Sequence, residues 1–143
     1  MKREIKFRVW DHNTNTMMIP DYFELYDGKI GWIEASREAG PVSGNDGCPD
    51  QFEIMQYTGL KDKNGREIYE GDIVKVFDDD GDSFVSEISW QKDYPAFDLV
   101  RWPNHYYDSN ALSAIVSGET EQTMAVIGNI YENPELLEVD EHD

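Results

Sequence analysis

Short apolar runs of period two, each closed within about ten residues by a turn built on glycine, constrain this chain most. In Ile5-Lys6-Phe7-Arg8-Val9, apolar and basic side chains alternate, which puts Ile5, Phe7 and Val9 on one face of a strand. Met17-Met18-Ile19 returns as a second strand after the turn chemistry of residues 11–15. Tyr22–Tyr26 and Lys29–Ile33 flank Asp27-Gly28, a pair that tolerates the positive φ of a two-residue hairpin turn. The pattern repeats over Phe52–Tyr57, Ile73–Phe77, Phe84–Trp90 and Phe97–Trp102, punctuated by Asn64-Gly65, Glu70-Gly71-Asp72 and the acidic turn after Phe77. In Phe84–Trp90 the alternation places Phe84, Ser86, Ile88 and Trp90 on one side. Thr123–Ile127 is a further apolar strand. Two short helices fit. One follows Asn110 as its cap, with Ala111, Leu112, Ile115 and Val116 on one face and Gly118 as its stop. The other begins at Asn133-Pro134-Glu135. Many short strands with little helix predict a mainly β protein built as small barrels.

Residues 36–51 hold three glycines and two prolines and no apolar period. They read as a long surface loop and as the boundary region between two parts of the chain.

Charge narrows the function classes. The 143 residues carry 30 acidic and 12 basic side chains, a formal net charge of -18. Residues 76–143 hold 16 of the acids and only Lys92 and Arg101 as bases. That half repels phosphate backbones and attracts basic partners. The start runs the other way, with Lys2, Arg3, Lys6 and Arg8 against Glu4. No apolar run approaches the roughly 20 residues of a membrane helix, and no apolar stretch follows the N-terminal cations as in a signal peptide. The 18 aromatic residues argue against a disordered acidic chain. Cys48 is the lone cysteine and lies between Asp46 and Asp50, so neither a disulfide nor an activated thiol is expected.

Candidate chemistry is sparse. Asp78-Asp79-Asp80-Gly81-Asp82 has the alternate carboxylates that calcium loops use. Aligning Gly81 with the sixth loop position, however, puts Val76 at the first, where an acid is needed, and Glu87 at the twelfth, inside a predicted strand. The segment reads as a solvated hairpin tip. His12, His105 and His142 are too dispersed for zinc, and His105 has no nucleophile in a recognisable motif beside it. Phosphate-cradling glycine patterns are absent. Trp90, Tyr94, Phe97, Trp102, Tyr106 and Tyr107 form an aromatic stretch that either fills a small core or lines a groove for a partner.

The segment Gln56-Tyr57-Thr58-Gly59-Leu60-Lys61-Asp62-Lys63-Asn64-Gly65-Arg66-Glu67-Ile68-Tyr69-Glu70-Gly71-Asp72-Ile73-Val74 resembles the signature of the YopX family of phage and prophage proteins. Ile5–Asp11 is similar to that family's N-terminal motif, and Gly128–Leu137 to its C-terminal one. The three segments lie in the family's order and bracket nearly the whole chain. The resemblance implies an all-β protein with an SH3-like barrel in its C-terminal part, and it points to homo-oligomers. It implies no activity and no catalytic residue. Within the signature, Gly59, Gly65 and Gly71 read as turn positions, and Asp62 and Asp72 as acceptors for nearby backbone amides.

Together these readings divide the chain into an N-terminal β subdomain over 1–55, containing the loop 36–51, and an SH3-like barrel domain over 56–143 with a short C-terminal helix. The expected function is that of a phage or prophage accessory protein in the bacterial host cytoplasm. It would be a non-catalytic protein-binding module, without cofactor, metal or membrane, whose acidic C-terminal half meets a basic host or phage protein. Trp102, Tyr106, Tyr107, Asp78, Asp79, Asp80 and Asp82 are the candidate partner-binding residues. The alternative is a nucleic-acid-binding module using the basic N-terminal strand.

Overall fold

A computed structural model describes residues 4–42, 51–91, 95–100 and 111–138. Strands dominate, all paired antiparallel as the turn-punctuated pattern predicts, and the fold is mainly β. Packing divides the chain into two units, one over Glu4–Gln56 and the other from Tyr57 onwards. Strand β6 (Phe52–Lys61) gives its first half to the former and its second half to the latter.

In the N-terminal unit, β1 (Phe7–Asp11) pairs with β2 (Thr16–Met18) and with the first half of β6. A second sheet has the order β3 (Tyr22–Tyr26), β4 (Lys29–Ala35), β5 (Glu38–Pro41). Asp27 and Gly28 join β3 to β4 with φ of 53° and 79°, the positive pair that a tight hairpin requires. Val9, Ile33, Ala35, Val42 and Phe52 make the core of this unit. Ile5 does not join them: it precedes β1 and is 64% exposed.

The loop expected over 36–51 is shorter than the sequence suggests, because Glu38–Pro41 is a strand hydrogen-bonded to β4. Ser36 and Arg37 make the intervening turn with φ of 49° and 78°. Neither residue favours positive φ, which is why composition hid the hairpin. A carboxylate oxygen of Asp21 accepts a bond from the Ser36 amide at 2.9 Å and holds the turn from outside. Residues 43–50, Cys48 among them, lie outside the described residues.

The C-terminal unit is a curled antiparallel sheet of order β10 (Phe97–Leu99), β9 (Ser83–Trp90), β8 (Asp72–Phe77), β11 (Thr123–Asn129). Strand β7 (Glu67–Tyr69) pairs with the second half of β6. Ile68, Val74, Val76, Phe84, Ile88, Leu99, Leu112, Ile115, Met124 and Val126 fill its core. The alternation read over 84–90 holds for Phe84, Ser86 and Ile88, whereas Trp90 is 50% exposed and meets Phe97 edge-on at 4.9 Å.

Three buried carboxylates tie this unit together through its backbone. Asp62 Oδ1 accepts from the amides of Asn64 and Arg66 at 2.9 Å, closing the Asn64-Gly65 turn. Its Oδ2 accepts from the Val126 amide at 2.8 Å, on the outer edge of β11. Asp72 Oδ2 accepts from the Tyr69 amide at 2.7 Å across the Glu70-Gly71 turn. Asp98, on β10, takes the Leu99 and Leu112 amides on Oδ1 and the Ala111 amide on Oδ2. The sequence suggested Asn110 as the helix cap; Asn110 lies outside the described residues, and Asp98 bonds the first amides of α1 (Ala111–Val116). The helix ends as predicted at Gly118 (φ 84°), where the amides of Gly118 and Glu119 bond back to Ile115 and Ala114.

The segment after Asn133 is one 3-10 turn, Pro134–Leu137, and the Asn133 side chain does not cap it. That side chain instead accepts from the Asn129 amide at 3.2 Å. Among the described residues no helix is long and apolar enough to cross a membrane.

Asp98→Ala leaves three buried amides without this acceptor, each costing about 1–3 kcal/mol if no water replaces it. Thermal unfolding followed by circular dichroism should show a markedly lower Tm for this variant. A Tm within a degree or so of the parent, on the scale where ~1 kcal/mol moves it several degrees, would show that Asp98 does not stabilise the fold through these amides.

Candidate functional site

The acidic candidates share the turn between β8 and β9, which pair in register from Ile73–Glu87 to Phe77–Ser83. Strand pairing ends there because Asp78, Asp79, Asp80 and Asp82 cannot contribute apolar contacts, and Gly81 supplies a φ of 98° for the reversal. The Asp78 amide donates to the Asp82 carbonyl at 2.8 Å, and the Asp82 amide to Asp80 Oδ1 at 3.1 Å. One carboxylate oxygen from each of Asp78, Asp80 and Asp82 lies within 4.8 Å of the others.

The loop before β11 extends this cluster. Gln122 Nε2 donates to Asp78 Oδ1 at 2.7 Å. Glu121 shares a hydrogen bond with Asp79, and that bond and the Asp79 charge push the Glu121 carboxyl above its ordinary value. The Asp79 and Glu121 side chains, both exposed, thus make the surface here locally dense in negative charge. Glu121 and Gln122 escaped the sequence reading. Gln122 lies 44 residues from Asp78, and only the pairing of β11 with β8 brings them together.

Calcium chemistry is a poor fit to this turn. Three closely spaced side-chain oxygens fall short of the 6–8 that calcium takes. Val76, at the first position of the calcium-loop alignment, is fully buried, and Glu87, at the twelfth, belongs to β9. A shallow hollow of about 270 Å³ opens beside the cluster, with Lys61, Lys63, Ile115, Glu121, Gln122 and Met124 in its wall. Charges of both signs line it, and Lys63 Nζ sits 4.3 Å from the centre of the Phe77 ring.

Of the other candidates, Trp102, Tyr106, Tyr107 and His105 lie outside the described residues. So do Lys2 and Arg3 of the basic cluster. Lys6 is paired with Glu4 at 3.3 Å, and Arg8 is half-buried on β1. His12 meets Glu53 at 2.9 Å on the surface of the N-terminal unit.

The profile of the YopX protein family matches residues 6–138. The chain belongs to the YopX family. A solved structure of protein EF1440 from Enterococcus faecalis shares 29% identity with this YopX-family chain. It superposes at a TM-score of 0.62, with 95% of this chain and 99% of that one covered. YopX from Bacillus subtilis, at 23% identity and a TM-score of 0.52 over 92% and 97% of the two chains, shares the fold. No curated protein matches.

One further acid is electrostatically marked. Burial and the neighbouring Glu70 charge hold the Glu87 carboxyl above its ordinary value. The folded protein therefore keeps this proton to higher pH than the unfolded chain does. The stabilisation is complete below the unfolded value of 4.5 and is lost as pH rises through the raised one. Glu87→Gln should raise Tm relative to the parent at neutral pH, and the gap should close at about pH 4. A gap that persists unchanged between the two pH values would assign the gain to packing.

Proposed function

We propose that this YopX-family protein is a non-catalytic accessory protein of phage or prophage origin that works by binding a basic protein through the exposed acids of its C-terminal half. The observation that carries the reading is the convergence of Asp78, Asp79, Asp80, Asp82 and Glu121 from two separate loops onto one surface. Dense surface carboxylates create a field that speeds encounter with a cationic partner and repels polyanions. Because the groups are exposed, the attraction is screened by salt and favours specificity and association rate over raw affinity. The bonds of these carboxylates are local, Asp80 accepting from the Asp82 amide, Asp78 from Gln122 and Asp79 sharing a bond with Glu121.

Copurification from phage-infected bacteria provides the test. A basic protein should be retained at about 0.05 M salt and released at about 0.5 M, where the screening length falls to a few ångströms. The D78N/D79N/D80N/D82N variant should fail to retain it at either salt. Equal retention by parent and variant would contradict the reading.

A further inference from the structure

Strand ends and edges in this fold are protected, with one exception among the described residues. The outer edge of β11 is covered: the Asp62 carboxylate takes the Val126 amide, and the Lys63 amide donates to the Met124 carbonyl at 3.1 Å. Strand β5 ends in Pro41, and β2, β7 and β10 are three residues each. Short edges, prolines and covering segments are how sheets avoid pairing with other chains.

Strand β3 has none of these devices. It is five residues long, Tyr22-Phe23-Glu24-Leu25-Tyr26, without lysine or proline, and it pairs only with β4. The register shift in this hairpin does not blunt it, because the unpaired extra residue, Gly31, belongs to β4. The Tyr26 ring lies across that glycine, where a Cβ would collide with it. The strand is also unusually apolar for its exposure. Tyr22 is 52% exposed, Leu25 60% and Tyr26 56%. Phe23 is steadied by an edge-on contact with Phe7 at 5.9 Å.

Charge selects the occupant. Residues 21–35 carry Asp21, Glu24, Asp27 and Glu34 against Lys29 alone. A second copy of this chain would bring those acids against their own equivalents, in a molecule of net charge -18. An extended segment alternating aliphatic and basic side chains would instead complete the backbone pairing and lay its cations beside Glu24 and Asp27.

We propose that the free edge of β3 is a docking site for an extended, basic and aliphatic segment of another protein, taken up by strand addition. Main-chain hydrogen bonds would supply affinity; Leu25 would cover the partner's aliphatic side chains on one face, and Glu24, which shares the other face with Tyr22 and Tyr26, would meet its cations. This surface lies in the N-terminal unit and does not depend on the acidic turn.

The test uses the full chain, labelled with 15N, and an N-acetylated heptapeptide of alternating lysine and valine. The amides of residues 22–26 should shift and gain protection from hydrogen exchange as peptide is added. Tyr22→Lys with Leu25→Lys, both at exposed positions, should keep the dispersed spectrum of a folded protein and weaken binding by about tenfold or more. D78N/D79N/D80N/D82N should bind the peptide like the parent, which separates this site from the acidic turn. No shift at millimolar peptide, shifts confined to residues 78–82 and 119–122, or undiminished binding by the double lysine variant would each overturn the proposal. So would a concentration-dependent dimer dissolved by the same variant, which would assign the edge to a second copy.

Discussion

The C-terminal unit depends on carboxylates that act as acceptors for backbone amides. A sheet curled this tightly leaves amides at its turns, at its outer edge and at the start of its helix without partners from regular pairing. Unpaired amides in a buried setting cost about as much as the hydrogen bonds they lack. Asp62, Asp72 and Asp98 meet that demand, each nearly excluded from solvent. Asp62 is the most far-reaching, because its two oxygens join the turn after β6 to the edge of β11, 64 residues further on. Its neighbour Thr58 performs a related task, with Oγ1 bonding the Ile68 carbonyl at 2.7 Å and the Leu60 amide at 3.2 Å across the irregular stretch around Gly59. An acid-rich chain thus uses part of its negative charge as internal scaffolding.

The remaining acids have another character. Asp80 and Asp82 are exposed, and their bonds stay within their own turn, while Asp78 and Asp79 bond Gln122 and Glu121 of the adjacent loop. Among the described residues the acids therefore divide by burial, with a few carboxylates holding backbone and a larger number facing solvent. Only the second kind is free to meet a partner. That division localises the proposed binding surface more sharply than the difference between the two halves of the chain does.

Much of the strand pattern was legible in the sequence because turn chemistry is local. Asp27-Gly28, Asn64-Gly65 and Gly118 carry their conformational meaning in their own side chains, or the lack of one, and each adopts the turn read for it. Asp62 and Asp72 were also legible as acceptors for amides a few residues away. Interactions that close over long separations were not. Nothing in Asp98 announces that it will take the first amides of a helix, and nothing in Gln122 points to Asp78. The Ser36-Arg37 turn was missed because its residues do not favour the conformation they adopt. Trp90 fits the apolar alternation of β9 yet lies at its end, where the sheet no longer covers it. Family membership accounts for the fold and leaves the acidic stretch after the signature to be read from its own chemistry.

The most direct measurement compares the two kinds of acid by chemical denaturation at neutral pH. Asp62→Ala should be strongly destabilised, by about 3 kcal/mol, because it orphans amides in the turn and on β11. D78N/D79N/D80N/D82N should unfold at the same denaturant concentration as the parent or a higher one, since relief of mutual repulsion offsets the few bonds lost within the turn. A quadruple variant as unstable as Asp62→Ala would contradict the division, because the turn carboxylates would then belong to the scaffold and not to a partner-facing surface.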